Sequence, residues 1–185
     1  MAIGESSEQL LLERLARGDE LAWGQVFSAN RDRIYGFCLR MMRNREEAED
    51  VSQEVFLRAV RAIGAFRGES SIKTWLHQIA HNLCLTRLAA AKKRSEQSSD
   101  LIWLSEVTDG GPSGDAAMAS GELRNAIELA VSELDPVFRE VLLLREVEDL
   151  SYEEIAGVVG ASVNTVKTRI HRARAKLQQQ LVEFR

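Results

Sequence analysis

The stretch "LSYEEIAGVVGASVNTVKTRIHRARAKL", residues 150 to 177, carries its own structural punctuation. Ser151 followed three positions later by Glu154 is a capping-box pair, which satisfies the orphan N–H groups at a helix start. Gly160 offers the left-handed conformation that stops a helix, and Ser162 can cap the next one. A short helix, a tight turn containing glycine and a longer basic helix make a helix-turn-helix.

On the longer helix Val163, Val166, Ile170, Ala173 and Leu177 recur at alternating steps of three and four, so they share one inward face. Asn164, Thr168, His171 and Arg172 then point outward, flanked by Lys167, Arg169 and Lys176. Amides, hydroxyls and guanidinium groups pair with base edges in the major groove, while ammonium groups meet phosphates. Between Ile155 and Val182 there is no Asp or Glu, which a merely solvated helix face would leave unexplained. His171 fits a phosphate or base-edge contact better than a metal ligand or a catalytic base.

Outward from this motif the same periodicity continues. Asp135 and Pro136 make a cap and first turn for a helix running to about Glu146, and the second lobe begins near Leu123. Residues 95 to 122 hold six acids, no Lys or Arg, and "DGGPSGD", the composition of a flexible acidic linker. Its apolar island, Leu101 to Leu104, reads equally as a local anchor or a docking segment. Before the linker, helices are expected over about 6–17, 20–42, 45–64 and 71–93, with Asn44 and Glu47 as a cap pair for the third. The expectation is an all-α chain of two small helical domains, 1–94 and 123–185, joined by linker 95–122.

The 185 residues suffice for one ordinary domain or two small ones, and a 45% hydrophobic content with 28% charged residues fits a soluble globular protein. No apolar run approaches the ~18 residues of a membrane span, and acids interrupt the N-terminal leucines where a secretion signal would be apolar. Both features predict a cytoplasmic location. The net charge of −4 does not exclude nucleic acid, because binding follows local fields. The basic residues cluster in the last helix and at Lys92 to Arg94, while acids gather at Glu46 to Glu54 and Glu146 to Glu154, predicting two kinds of partner.

"HQIAHNLC", residues 77 to 84, poses a separate question. Taking Ile72, Trp75, Leu76, Ile79 and Leu83 as the inward stripe puts His77, His81 and Cys84 together on the outward side. Such a trio could hold zinc or sense a metal or oxidant, but a structural zinc site wants four ligands and no fourth is near. No metal or other cofactor is therefore assigned, and Trp75 is expected in the core. With no Walker-type loop, catalytic triad or pocketed carboxylate pair, enzymatic chemistry is not expected either.

Two separated stretches resemble one family. "EEAEDVSQEVFLRAVRAIGAFRGESSIKTWLHQIAHNLC", residues 46–84, and "LDPVFREVLLLREVEDLSYEEIAGVVGASVNTVKTRIHRARAKL", residues 134–177, look like regions two and four of the bacterial RNA polymerase sigma factors, in their compact extracytoplasmic-function group. The resemblance implies that Asp50, Val51, Gln53, Glu54 and Phe56 dock on the clamp helices of the polymerase's largest subunit. It implies that the loop "FRGESS", with Phe66, Arg67, Glu69, Ser70 and Ser71, captures an unstacked base of the minus-ten element. The helix that follows, with Lys73, His81 and Asn82, would hold the duplex edge. Lys167, Thr168, Arg169 and Arg172, with Asn164 and His171, would read the minus-thirty-five element, the same lobe meeting the flap of the second-largest subunit. Where the family commonly carries an acid and several arginines this chain has Thr86 and Ala89 to Ala91, leaving fewer cations for the duplex. Control by an anti-sigma factor, itself soluble or membrane-bound, is implied as well. The competing reading from the residues alone is a homodimeric helix-turn-helix regulator that needs no polymerase.

Overall fold

A computed structural model describes residues 3–97 and 115–182, and among them all regular structure is helical. The chain divides into two compact units, residues 1–89 and 90–185. The island Leu101 to Leu104 lies outside the described residues.

The first unit holds α1 (Ile3–Ala16), α2 (Glu20–Met42), α3 (Arg45–Ala62), a 3₁₀ turn (Ile63–Ala65) and the start of α4 (Ile72–Gln97). Asp19 starts α2 by accepting hydrogen bonds from the Leu21 and Ala22 amides at 3.0 and 3.1 Å. Arg43 ends that helix in the left-handed region at φ 57°, and the Asn44 side chain then accepts the Glu47 amide of α3 at 3.0 Å. The Glu47 carboxylate goes to Arg87 of α4 instead of back to the cap, so the expected pair works in one direction. With only Arg43 and Asn44 between them, α2 and α3 run antiparallel, and Phe27 near the start of one meets Phe56 near the end of the other edge-on at 4.9 Å.

The core of this unit comprises Leu15 of α1, Ile34, Phe37 and Met41 of α2, Val51 and Val55 of α3, and Leu76 and Ala80 of α4. On α4 the buried face is turned from the one expected. Ile72, Leu76 and Leu83 are buried as the spacing predicts, but so are Thr74, His77, Ala80, His81 and Cys84, while Trp75 and Ile79 are only partly buried. The outward placement of His77, His81 and Cys84 is thus corrected, as is the core placement of Trp75. α4 is apolar or small around most of its circumference, so its spacing alone supports more than one phase. His77 satisfies Nδ1 on the Lys73 carbonyl at 2.8 Å and sets its ring edgewise to Phe37.

The second unit contains α5 (Asp115–Glu133), α6 (Pro136–Glu146), α7 (Tyr152–Val159) and α8 (Val163–Gln180). Helix therefore occupies residues 95–97 and 115–122, which the composition had assigned to linker. Buried Arg139 bonds the carbonyls of Val131 and Leu134 at 3.2 and 2.8 Å, satisfying acceptors that the end of α5 leaves open. Asp135 caps nothing with its side chain; Pro136 opens α6, and the Asp135 carboxylate instead takes Lys176 of α8 at 3.0 Å. The capping box of α7 forms as expected, with Ser151 and Glu154 bonded reciprocally at 2.9 and 3.1 Å. Gly160 stops α7 at φ 61° and the Ser162 hydroxyl caps α8.

At the start of α2, Arg14 donates to the Asp19 carboxylate at 2.7 Å, and this bond together with the Ala22 amide holds Asp19 below the usual aspartate range. A carboxylate depressed in the folded state contributes its stability in full above the unfolded value of ~3.9 and loses it as pH falls through the folded one. Asp19→Asn, which keeps a cap acceptor but removes the charge, should flatten the acid limb. Thermal melts below pH ~4 should show the wild type losing stability more steeply than the variant.

Candidate nucleic-acid interface

α8 presents its outer face because its inner one is fully used. Val166, Ile170 and Ala173 are buried, and Leu177 packs beside Leu134, Leu142 and Phe138. Asn164, Lys167, Thr168, His171 and Arg172 are exposed, as the spacing predicts. The basic side chains are not equivalent, however. Arg169 is only 29% exposed and lies 3.8 Å from Glu140, a buried carboxylate of α6, so its guanidinium is drawn toward the helix bundle rather than presented like its neighbours. Arg174 bonds Glu146 at 3.0 Å, and Lys176 pairs with Asp135 while sitting over the Phe138 ring at 5.0 Å. The Glu146 carboxylate, through its hydrogen bond and charge, raises Arg174 above the ordinary arginine value. What remains for a ligand is a strip of amide, hydroxyl, imidazole, ammonium and guanidinium groups on the first three turns of α8, suited to an anionic duplex.

In the first unit the loop before α4 gathers a second set. Phe66 stacks on Trp75 at 4.7 Å with the rings 29° apart, while Arg67, Glu69 and Ser71 are exposed and Ser70 and Lys73 half-buried. Gly68 at φ 70° makes the sharp turn, with space around it limited by Leu12. The Ser71 hydroxyl accepts the Thr74 amide at 3.1 Å and so serves as the cap of α4. Asn82 is exposed, but His81 is buried, which removes it from the outward strip with the rest of the misphased trio. Among the described residues no group of three His, Cys, Asp or Glu side chains gathers to hold a metal ion.

On α3, Asp50 and Gln53 are exposed and Glu54 and Phe56 half-buried beside exposed Leu57, but Val51 is wholly buried. Steps of three and four put Val51 on the core stripe with Ala48 and Val55, so its side chain is corrected from surface to core. Arg58 donates to Glu54 at 2.8 Å and holds that carboxylate below its ordinary range. The spacing also missed two aromatic groups. Trp75 pairs with Phe66, and Tyr152 sits among Arg145 and Lys167; aromatic residues beside a glycine-containing loop and at a helix start were the available signals.

Two helical units, one ending in a helix-turn-helix with a basic outer strip and one bearing an acidic helix and an aromatic loop, have the architecture of a DNA-binding protein. The family comparisons are specific. The model for sigma-70 region 2 matches residues 26–94, and that for sigma-70 region 4 matches residues 124–177. The RNA polymerase sigma-H factor of Pseudomonas aeruginosa is 36% identical over 183 residues, covering 96% of this chain and 95% of that protein. The extracytoplasmic-function (ECF) sigma factor SigW of Bacillus subtilis is 35% identical, covering 92% and 94%. A solved structure, the sigma factor RpoE in complex with the anti-sigma factor NepR from Bartonella quintana, shares the fold. Its TM-score is 0.75 at 23% identity, over 88% of this chain and 98% of that one. The chain belongs to the ECF sigma factors of RNA polymerase, and as such it directs promoter recognition and transcription initiation.

The Glu140–Arg169 contact tests how α8 is held. Glu140→Ala should lower unfolding free energy by about 2 kcal/mol, less than a fully buried pair would lose because Arg169 keeps some access to water. Chemical denaturation followed by circular dichroism reads the change.

Proposed function

We propose that the two units divide the work of initiation. The helix-turn-helix reads the minus-thirty-five element through Asn164, Lys167, Thr168, His171 and Arg172, with Arg169 in a supporting place, while the same lobe meets the flap of the second-largest polymerase subunit. The loop Phe66 to Ser71, with Lys73, Asn82 and the Phe66–Trp75 pair, takes the minus-ten element. Half-exposed aromatic surface suits an extruded base, and unstacking costs roughly a few kcal/mol per step, so a site for the flipped base traps melted DNA without nucleotide hydrolysis. Asp50, Gln53, Glu54 and Phe56 dock on the clamp helices of the largest subunit, their acids meeting a basic helical partner; Val51 supports that face from beneath. The domains act as 1–94 and 123–185 about the intervening segment. The chain contributes binding and positioning rather than bond chemistry, works in the cytoplasm, and is held in check by an anti-sigma factor.

The observation that carries this reading is the outer strip of α8, exposed and free of acids. Run-off transcription with purified core polymerase on genomic promoter fragments tests it: discrete starts should appear only when the protein is added. Operator binding without core polymerase, and no starts, would instead make the chain an independent regulator. Arg172→Ala should relax discrimination at one minus-thirty-five position by about 1–3 kcal/mol if the contact is bidentate, measured by competition binding of holoenzyme to single-base variants. Asp50→Lys with Glu54→Lys should weaken core binding in a pull-down while leaving the helical content unchanged.

A further inference from the structure

Tyr152 stands where the first helix of the helix-turn-helix begins. It is the first residue of α7, half-buried, and the capping box between Ser151 and Glu154 fixes the backbone on which it stands. The Arg145 guanidinium lies over its ring, 5.1 Å from the centroid, and is itself tied to the Leu150 carbonyl at 2.8 Å. The Lys167 ammonium of α8 also lies over the ring, at 5.7 Å. Both fall within the ~6 Å at which a cation is attracted to an aromatic face.

Lysine is among the most flexible side chains, and an exposed ammonium on a four-carbon stem samples many directions. Lys167 is exposed and, among the described residues, makes no ion pair with a carboxylate, unlike Arg169, Arg174 and Lys176. An aromatic face steers a cation without neutralising it, so the ammonium keeps its full charge for a ligand. We infer that Tyr152 is a positioning residue that holds the Lys167 ammonium in place for a phosphodiester of the promoter backbone. The inference rests on the proposed contact of α8 with DNA. Preorganisation of this kind lowers the ordering cost of binding without a new contact to the ligand.

The test uses full-length protein with core polymerase on promoter fragments recovered by the run-off assay, and the free protein in NMR. In wild type the Lys167 ε-methylene protons should be shifted upfield by the ring; Tyr152→Phe should keep that shift and Tyr152→Leu should lose it. Tyr152→Leu should weaken holoenzyme binding about fivefold, Tyr152→Phe should restore it, and Tyr152→Leu with Lys167→Ala should bind no worse than Lys167→Ala alone. Additive losses in the double variant, or Tyr152→Phe as impaired as Tyr152→Leu, would overturn the positioning role in favour of a direct contact by the hydroxyl. An unshifted Lys167 in wild type overturns it even where Tyr152→Leu fails to fold. If Lys167→Ala binds normally while Arg172→Ala is impaired, the role of Lys167 falls and the reading of α8 stands; if both bind normally, that reading falls too.

Discussion

α8 must bury one stripe, and the rest of the second unit follows from that requirement. Val166, Ile170 and Ala173 have no exposure left, so every other position on the helix has its direction fixed within a fraction of a turn. Burial of this stripe is the source of stability, at roughly 1.5–3 kcal/mol for each large aliphatic side chain removed from water. The polar strip opposite it contributes little to the fold and is free to be selected for a ligand. The capping of α7 and α8 by Ser151 and Ser162, with Gly160 between them, sets the angle at which that strip is offered.

Charge on this unit is sorted by the same packing. Glu140 is buried beneath α8 and draws in Arg169; Glu146 and Asp135 lie at the edge and occupy Arg174 and Lys176. Exposed pairs of the latter sort are worth little, about 0–1 kcal/mol, so their main effect is to decide which cations stay available. On α8, among the described residues, Lys167 and Arg172 stay available, on the first three turns nearest the turn of the motif. The first unit sorts its charges in the opposite sense. α3 puts Val51 and Val55 inward and leaves Asp50 exposed and Glu54 half-exposed, so acids rather than cations mark its outer face.

How legible each element was depended on how clearly its faces differ in chemistry. α8 alternates branched aliphatics with amides and cations, so its inward stripe and its exposed polar positions were both readable, as were the caps at Asn44, Ser151 and Ser162. α4 has no such contrast. Small and apolar residues run round it, and Trp75 and Ile79 competed with Ala80, His77 and Cys84 for the inward stripe. In the buried set His77 packs against Phe37 of α2 with the rings near perpendicular, and no local pattern reports the shape of that partner. The same holds for Asp135, whose carboxylate left its cap position for a lysine 41 residues away.

The chain's order of residues settled that it is helical, where most helices start and stop, that a helix-turn-helix lies near its end, and which family it belongs to, since these rest on local capping and on long stretches of periodic sequence. Which of the outward cations remain unclaimed, which way α4 faces, and that Phe66 and Tyr152 have the neighbours they do were settled by packing between helices. Those contacts join residues far apart in the chain, or close in it but turned by a neighbour, and spacing along one helix carries no record of what the next helix brings against it.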